Sequence, residues 1–300
     1  LPLPPASTPG YINNITEAKA GPNFYNPLDG YDPVIFVPTY GAGLYFIEFD
    51  RVNPSNQPFQ MNYFDITVGD VNSPKTGRVY SKAWQLYENL NGGPHSNSKF
   101  YIYSDDGIVT SLEFNNLEGG AWEMFCNENG LGTISWVYES ASGYISGIQG
   151  QYKQFLNNPD PALYPSGELG EIIDVPTAPY AISTCDVGTT IYFYVSKEGD
   201  VIANLSFPAP YVSVSTPPKS VEPDIENFIF WDGLDGNGVA VPNGTPLTLS
   251  LTYSGGLTNL PLFDVESNPN GFDIELVRPL GPSLSVYWDD NQLGGTTVLP

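Results

Sequence analysis

Along most of the chain, apolar and polar residues alternate in short runs, and Gly, Pro, Asn or Asp stops each run. A period of two with such punctuation predicts β-strands that bury one face. The pattern places strands at residues 34–37, 43–49, 62–68, 78–86, 99–103, 108–114, 122–126 and 134–138. Further strands are expected at 189–195, 200–207, 227–230, 247–253, 272–277 and 284–288. Within 78–86 the alternation sets Val79, Ser81, Ala83 and Gln85 on one face and Tyr80, Lys82, Trp84 and Leu86 on the other. Asp105-Asp106-Gly107 between two such runs predicts a β-hairpin, and Ser196-Lys197-Glu198-Gly199 predicts a second. No stretch keeps a helical period; residues 150–156 come nearest, as a single helical turn.

Composition agrees with an all-β reading. The 300 residues include 31 Gly, 29 Pro, 20 Tyr and 16 Phe, a mixture that disfavours helix and favours strands cut by turns. Residues 1–33 are rich in Pro, Gly and Asn and read as an extended leader. Ser215-Thr216-Pro217-Pro218-Lys219-Ser220-Val221-Glu222-Pro223 reads as a semi-rigid spacer. The expected organisation is a large jelly-roll-like β-sandwich over residues 1–218, with its N-terminal leader, and a small sandwich over 219–300. The start at Leu1-Pro2-Leu3-Pro4-Pro5 and the end at Pro300 suggest a piece of a longer polypeptide, the second sandwich being truncated at its C-terminal end and followed by further domains.

Charge narrows the function. Ten basic residues stand against 33 acidic ones, a net charge of −23. That argues against nucleic acid and against anionic lipid surfaces, both of which are bound through Lys and Arg. No run of eighteen apolar residues marks a membrane span, and no membrane insertion is expected. Catalysis has little to work with. The single histidine, His95, lies in a polar loop, and no nucleophile elbow, P-loop or zinc-protease motif is present. Many carboxylates are available for a glycosidase-type pair, but nothing marks one pair out. The chain is read as a non-enzyme.

Three groups of residues remain as candidates. Cys126 and Cys185 would form one disulfide in an oxidising compartment, or else two buried thiols. Asp232, Asp235 and Asn237, in Asp232-Gly233-Leu234-Asp235-Gly236-Asn237-Gly238, place oxygens at spacings that suit calcium. The position where a bidentate Glu would close such a loop holds Asn243, and the same residues equally make a β-turn. The Asp-Gly clusters at 29–32, 105–107 and 288–291 are weaker versions of the same pattern. Finally, Tyr25, Tyr31, Tyr40, Tyr152 and Tyr164 fall in loops as candidate sugar-stacking rings, whereas Trp84 and Trp231 read as core.

The run Phe230-Trp231-Asp232-Gly233-Leu234-Asp235-Gly236-Asn237-Gly238, continuing through Val241-Pro242-Asn243-Gly244-Thr245, resembles a hairpin of Ig-like domains in bacterial surface proteins. Asn268-Pro269-Asn270-Gly271-Phe272, Tyr287-Trp288-Asp289-Asp290 and Thr76-Gly77-Arg78-Val79-Tyr80 are similar to segments of large secreted proteins of the Bacteroidota, the gliding-motility-associated adhesins exported by type IX secretion. The resemblance implies that the small sandwich is Ig-like, that Trp231 packs inward, and that the protein is displayed at the bacterial cell surface or released outside the cell. It implies cell adhesion and transfers no catalytic residue. The expected function is thus a non-enzymatic adhesin module that binds an extracellular glycan or a surface protein, or serves as a stalk. The alternatives are a carbohydrate-binding accessory region of a polysaccharide-degrading enzyme, marked by a flat aromatic strip on one sheet face, and a structural subunit of a surface assembly.

Overall fold

The computed structural model describes residues 5–38, 41–48, 63–87, 95–117, 121–128, 150–173, 179–184, 188–255, 262–263, 270–281, 288–289 and 298–299. The chain divides into two units. One comprises Leu1–Val79 with Asn157–Leu163, and the other comprises Tyr80–Leu156 with Tyr164–Pro300. Among the described residues, no helix is long and apolar enough to cross a membrane.

In the first unit, the expected leader contains a short helix, α1 (Ile15–Ala20). Asn14 caps it by accepting from the Thr16 and Glu17 N–H groups, and Glu17 reaches back to the Asn13 N–H at 2.8 Å. This reciprocal cap satisfies backbone donors that a helix start leaves open. Of the expected strands at 34–37, 43–49 and 62–68, residues 49 and 62 lie outside the described residues; the rest join no sheet among the described residues, and Val34, Ile35, Phe36, Val37, Leu44 and Phe46 are exposed. Apolar alternation supplies strand propensity, but a ladder also needs a partner with matching donors and acceptors. Near the end of this unit Arg78 grips Asp160 through two nitrogens, Nε at 2.9 Å and Nη2 at 2.8 Å. Gly77 lies against the 158–160 backbone with φ of +70°, a position where an added Cβ would fall 2.1 Å from the Asn158 carbonyl oxygen.

The second unit carries the sheets. Its strands begin with β1 (Tyr80–Ser81), β2 (Ala83–Tyr87), β3 (Lys99–Tyr103), β4 (Val109–Phe114), β5 (Ala121–Phe125) and β6 (Lys153–Phe155). Then come β7 (Ile172–Ile173), β8 (Tyr180–Thr184), β9 (Gly188–Val195), β10 (Gly199–Ser206), β11 (Val214–Ser215), β12 (Lys219–Val221), β13 (Asn227–Trp231) and β14 (Thr248–Ser254). β15 (Leu262–Phe263), β16 (Phe272–Arg278), β17 (Trp288–Asp289) and β18 (Val298–Leu299) complete the series. The fold is all-β, and its pairings are antiparallel.

Two sandwich-like pairs of sheets follow from the pairings. In the first pair, the sheet β1-β6-β3-β4-β16 faces the sheet β15-β5-β2. Phe100, Ile102, Leu112, Phe114, Leu117, Met124, Cys126 and Tyr152 fill the space between, with Trp84, Phe272 and Ile274 packed against them. The alternating run at 78–86 serves both sheets: it breaks at Lys82, so that β1 pairs with β6 and β2 with β5. The residues read as a helical turn, 150–156, instead contain β6. Its Gln154 is fully buried and donates to the Lys82 carbonyl at 3.0 Å.

In the second pair, β9 with its neighbours β13, β8 and β7 faces β10 with β11, β12 and β14. Ile191, Phe193, Val195, Val201, Ala203, Leu205, Val221, Ile229 and Trp231 form its core. The loop after β9 is no hairpin. β9 and β10 belong to opposite sheets, and the Ser196–Gly199 segment carries the chain over the core from one to the other. The Pro-rich spacer is likewise part of the sandwich: β11 and β12 both pair with β10, on the edge opposite the one taken by β14, with Pro217-Pro218 between them. Proline is tolerated there because an edge strand need not donate every N–H. The boundary expected between residues 218 and 219 falls inside this edge strand.

Candidate functional site

The Asp-rich hairpin comes first, since the sequence singles it out. Trp231 is buried, stacks on Phe207 with ring centroids 5.5 Å apart, and donates from Nε1 to the Leu234 carbonyl at 2.7 Å. The inward Trp thus ties down the turn. Asp235 is buried, and its carboxylate accepts three backbone N–H groups: Asn237 at 2.9 Å and Val239 at 2.8 Å on Oδ1, and Val212 at 3.0 Å on Oδ2. The Val212 and Val239 amides, and after them that of Asn237, hold this carboxyl below the usual Asp range, against a smaller opposing push from desolvation. Asp232 is exposed and accepts the Leu234 N–H at 3.0 Å. Asn237 is exposed. The three residues therefore lie on one turn, where Asp232 and Asp235 organise backbone. Among the described residues, no cluster of three or more His, Cys, Asp or Glu side chains is placed to hold a metal ion.

The remaining candidates disperse. Cys126 is a fully buried thiol in the first core, and burial pushes its pKa well up. Cys185 lies outside the described residues, and the pairing of the two cysteines lies outside them too. His95 is exposed. Tyr31 is buried and donates to Asp65 at 3.0 Å. Tyr152 is buried in the first core, and its hydroxyl is pushed up to about 12 by burial and then by Glu128, Asp105 and Asp106. Tyr25 is half-buried and donates to the Asp70 carbonyl. Tyr40 lies outside the described residues. Tyr164 packs edge-on against Phe155, Tyr103 and Tyr80, at centroid distances of 4.9, 5.5 and 6.3 Å, as part of a closed aromatic cluster.

Tyr11, Phe24, Phe36, Tyr45, Phe46, Tyr63 and Phe64 of the first unit are exposed off any strand, whereas the exposed rings of the second sandwich, Phe228 and Phe230, stand on β13. β9 and β13 pair so that Phe228 stands opposite Tyr192 and Phe230 opposite Thr190. Ile191, Phe193 and Val195 on β9, and Asn227, Ile229 and Trp231 on β13, point into the core. Strict alternation then turns Thr190, Tyr192, Tyr194, Phe228 and Phe230 to the other face. Phe228 is 52% exposed and Phe230 50% exposed. The Tyr192 and Phe228 rings lie 6.2 Å apart. On the far side of β9 the backbone of β8 pairs with it in turn. At its margins the Lys219 ammonium sits 5.8 Å above the Phe228 ring, and the Tyr194 hydroxyl lies 3.5 Å from the Glu226 carboxylate.

Backbone chemistry fixes one of these rings. Gly188, at φ +109°, lies under Phe230: a Cβ there would fall 2.7 Å from the Phe230 ring and 2.3 Å from the Trp231 carbonyl oxygen. A bare glycine lets the ring lie down over the neighbouring strand. The opposite outer face of the same sandwich shows the ordinary solution. There Asn204 donates to Thr252 at 3.0 Å and accepts from Ser215 at 2.7 Å, and Ser220 donates to Asp200 at 2.8 Å. One face is thus a hydroxyl-rich polar surface and the other an aromatic one.

The aromatic face was legible only in part. Residues 228–231 are apolar or aromatic on both faces of the strand, and 190–194 alternate Thr and Tyr with Ile and Phe. A strand that is apolar on both sides signals either a fully covered position or an exposed apolar face, and only the pairing decides which. No protein-family model matches the chain, and neither does any curated protein or solved structure.

Proposed function

We propose that this chain is a non-enzymatic module of a secreted or surface-displayed bacterial adhesin that engages a glycan on the aromatic outer face of its second sandwich. The observation that carries the reading is the row of Tyr192, Phe228 and Phe230 on a sheet face turned to solvent, with two phenylalanines half exposed. Large aromatics left wet on a regular strand mark contact surfaces, because their rings gain most when another apolar face covers them. The resemblance to gliding-motility-associated adhesins of the Bacteroidota points the same way. The acidic surface suits a molecule displayed outside the cell, since high net charge keeps it soluble.

A second reading shares the same observation. A row of exposed aromatic rings on one sheet face also suits a carbohydrate-binding accessory region of a polysaccharide-degrading enzyme, with catalysis elsewhere in a longer polypeptide. Binding of the purified chain to a panel of polysaccharides, in calcium and again in chelator, tests the shared core of both. Saturable binding to a glycan class, undiminished in chelator and without release of new reducing ends, is the expected result. Release of reducing ends would replace both readings with a hydrolase, and loss of binding in chelator would restore calcium at Asp232, Asp235 and Asn237.

A further inference from the structure

Resting on that glycan-binding reading, we infer that the ligand is an uncharged polysaccharide lying across β9 and β13, with its sugar rings stacked on Tyr192, Phe228 and Phe230. Shape is the first argument. The rings stand side by side on neighbouring strands of one sheet, Tyr192 and Phe228 6.2 Å apart and tilted 48° to each other, so they line an open surface on which successive sugar units would each meet one ring. A protein partner draws most of its affinity from side chains seated in desolvated pockets. A pyranose has a flat C–H face for the rings and hydroxyls at its rim for polar groups beside them.

Polarity is the second argument. Apolar area with a few placed polar groups is what fixes a small repeating ligand. Thr190 and the Tyr192 and Tyr194 hydroxyls supply both donors and acceptors on the face, Glu226 supplies acceptors, and Lys219 supplies a donor at the margin. Charge is the third. Lys219 and Glu226 border the rings with one charge of each sign, in a chain that carries −23 as a whole. A polyanionic glycan would be repelled on approach, and a neutral one would not.

The test uses the full chain, with glucan, xylan and mannan as neutral probes and alginate as a polyanionic one. Phe228→Ser/Phe230→Ser removes both exposed rings. Phe228→Thr alone, which keeps a strand-favouring residue, serves where the double variant fails to fold. Thr252→Ala alters the opposite face as a control. Thermal unfolding shows which variants remain folded. The expected result is that one neutral polysaccharide binds, that a folded Phe228 variant binds it about tenfold or more weakly, and that Thr252→Ala binds as the parent does. Neutral-glycan binding unchanged by loss of the Phe228 ring would overturn this face, here and in the proposed function alike, and would leave only a glycan-binding adhesin whose site lies elsewhere on the chain. Preference for alginate would overturn the neutral ligand. Absence of any glycan binding would overturn the reading and the inference together, and a concentration-dependent dimer abolished by the Phe228 substitution would assign the face to a protein contact instead.

Discussion

Asp235 shows how one side chain sets a loop. Its two oxygens accept from three amides on two chain segments, Val212 on one and Asn237 and Val239 on the other. Three N–H donors favour the ionised form, so the folded pKa lies below that of the unfolded chain, about 3.9 for an Asp. A depressed carboxylate contributes stability that is fully present above the unfolded value and is lost as pH falls through the folded one. Asp235→Asn keeps one acceptor oxygen but turns an amide NH₂ toward an N–H donor. The thermal midpoint at pH 7 is expected to fall by several degrees in this variant. Between pH 5 and pH 3 the parent midpoint should drop more steeply than that of Asp235→Asn. Parallel pH profiles for the two proteins would show that the carboxylate charge plays no part in holding the turn.

At the scale of elements, β9 organises the second sandwich, and its first residue is the sensitive one. Gly188 adopts a positive φ and lies against the Trp231 carbonyl and the Phe230 ring. Gly188→Ala therefore combines backbone strain with a clash against main chain, and is expected to destabilise the fold by about 1–3 kcal/mol. Urea unfolding measures this directly, and an unchanged midpoint would mean that β9 begins after residue 188. The elements also show what was legible. The hairpin of β3 and β4 was readable because Asp105-Asp106-Gly107 is a local signal that joins adjacent strands. The β9–β10 connection was misread as a hairpin because a short polar loop looks the same whether it joins neighbours or crosses between sheets. The edge strand at 214–221 was misread as a spacer because Pro217-Pro218 masks a ladder that resumes on both sides. Asp232 and Asp235 carry a local turn signal that is equally a calcium pattern, whereas the aromatic face on β9 and β13 is not visible locally, because its evidence is a register between residues 36 and 40 positions apart.

For the whole molecule, the pairings make the order of strands more telling than their number. β7 through β14 build the second sandwich, and the strands on either side of that block, β6 before it and β15 and β16 after it, belong to the first. The second sandwich is in effect an insertion within the first. A division at residue 218, the one that composition suggests, cuts both. It separates β10 from β12 and β14, β9 from β13, and β4 from β16, which contributes Phe272 and Ile274 to the first core. Each sheet left behind would expose apolar residues that the missing strands now cover, a loss no small domain tolerates. A fragment of residues 1–218 is accordingly expected to lack a cooperative unfolding transition and to be cleaved rapidly by protease, and a fragment of 219–300 to behave likewise. A fragment of 168–256 contains all the strands from β7 to β14 and the residues of the second core, so it should unfold cooperatively. Circular dichroism melts and limited proteolysis of the three fragments decide the matter. Cooperative melts for 1–218 and 219–300, with none for 168–256, would mean that the chain is two domains in series, with no sandwich inserted in another.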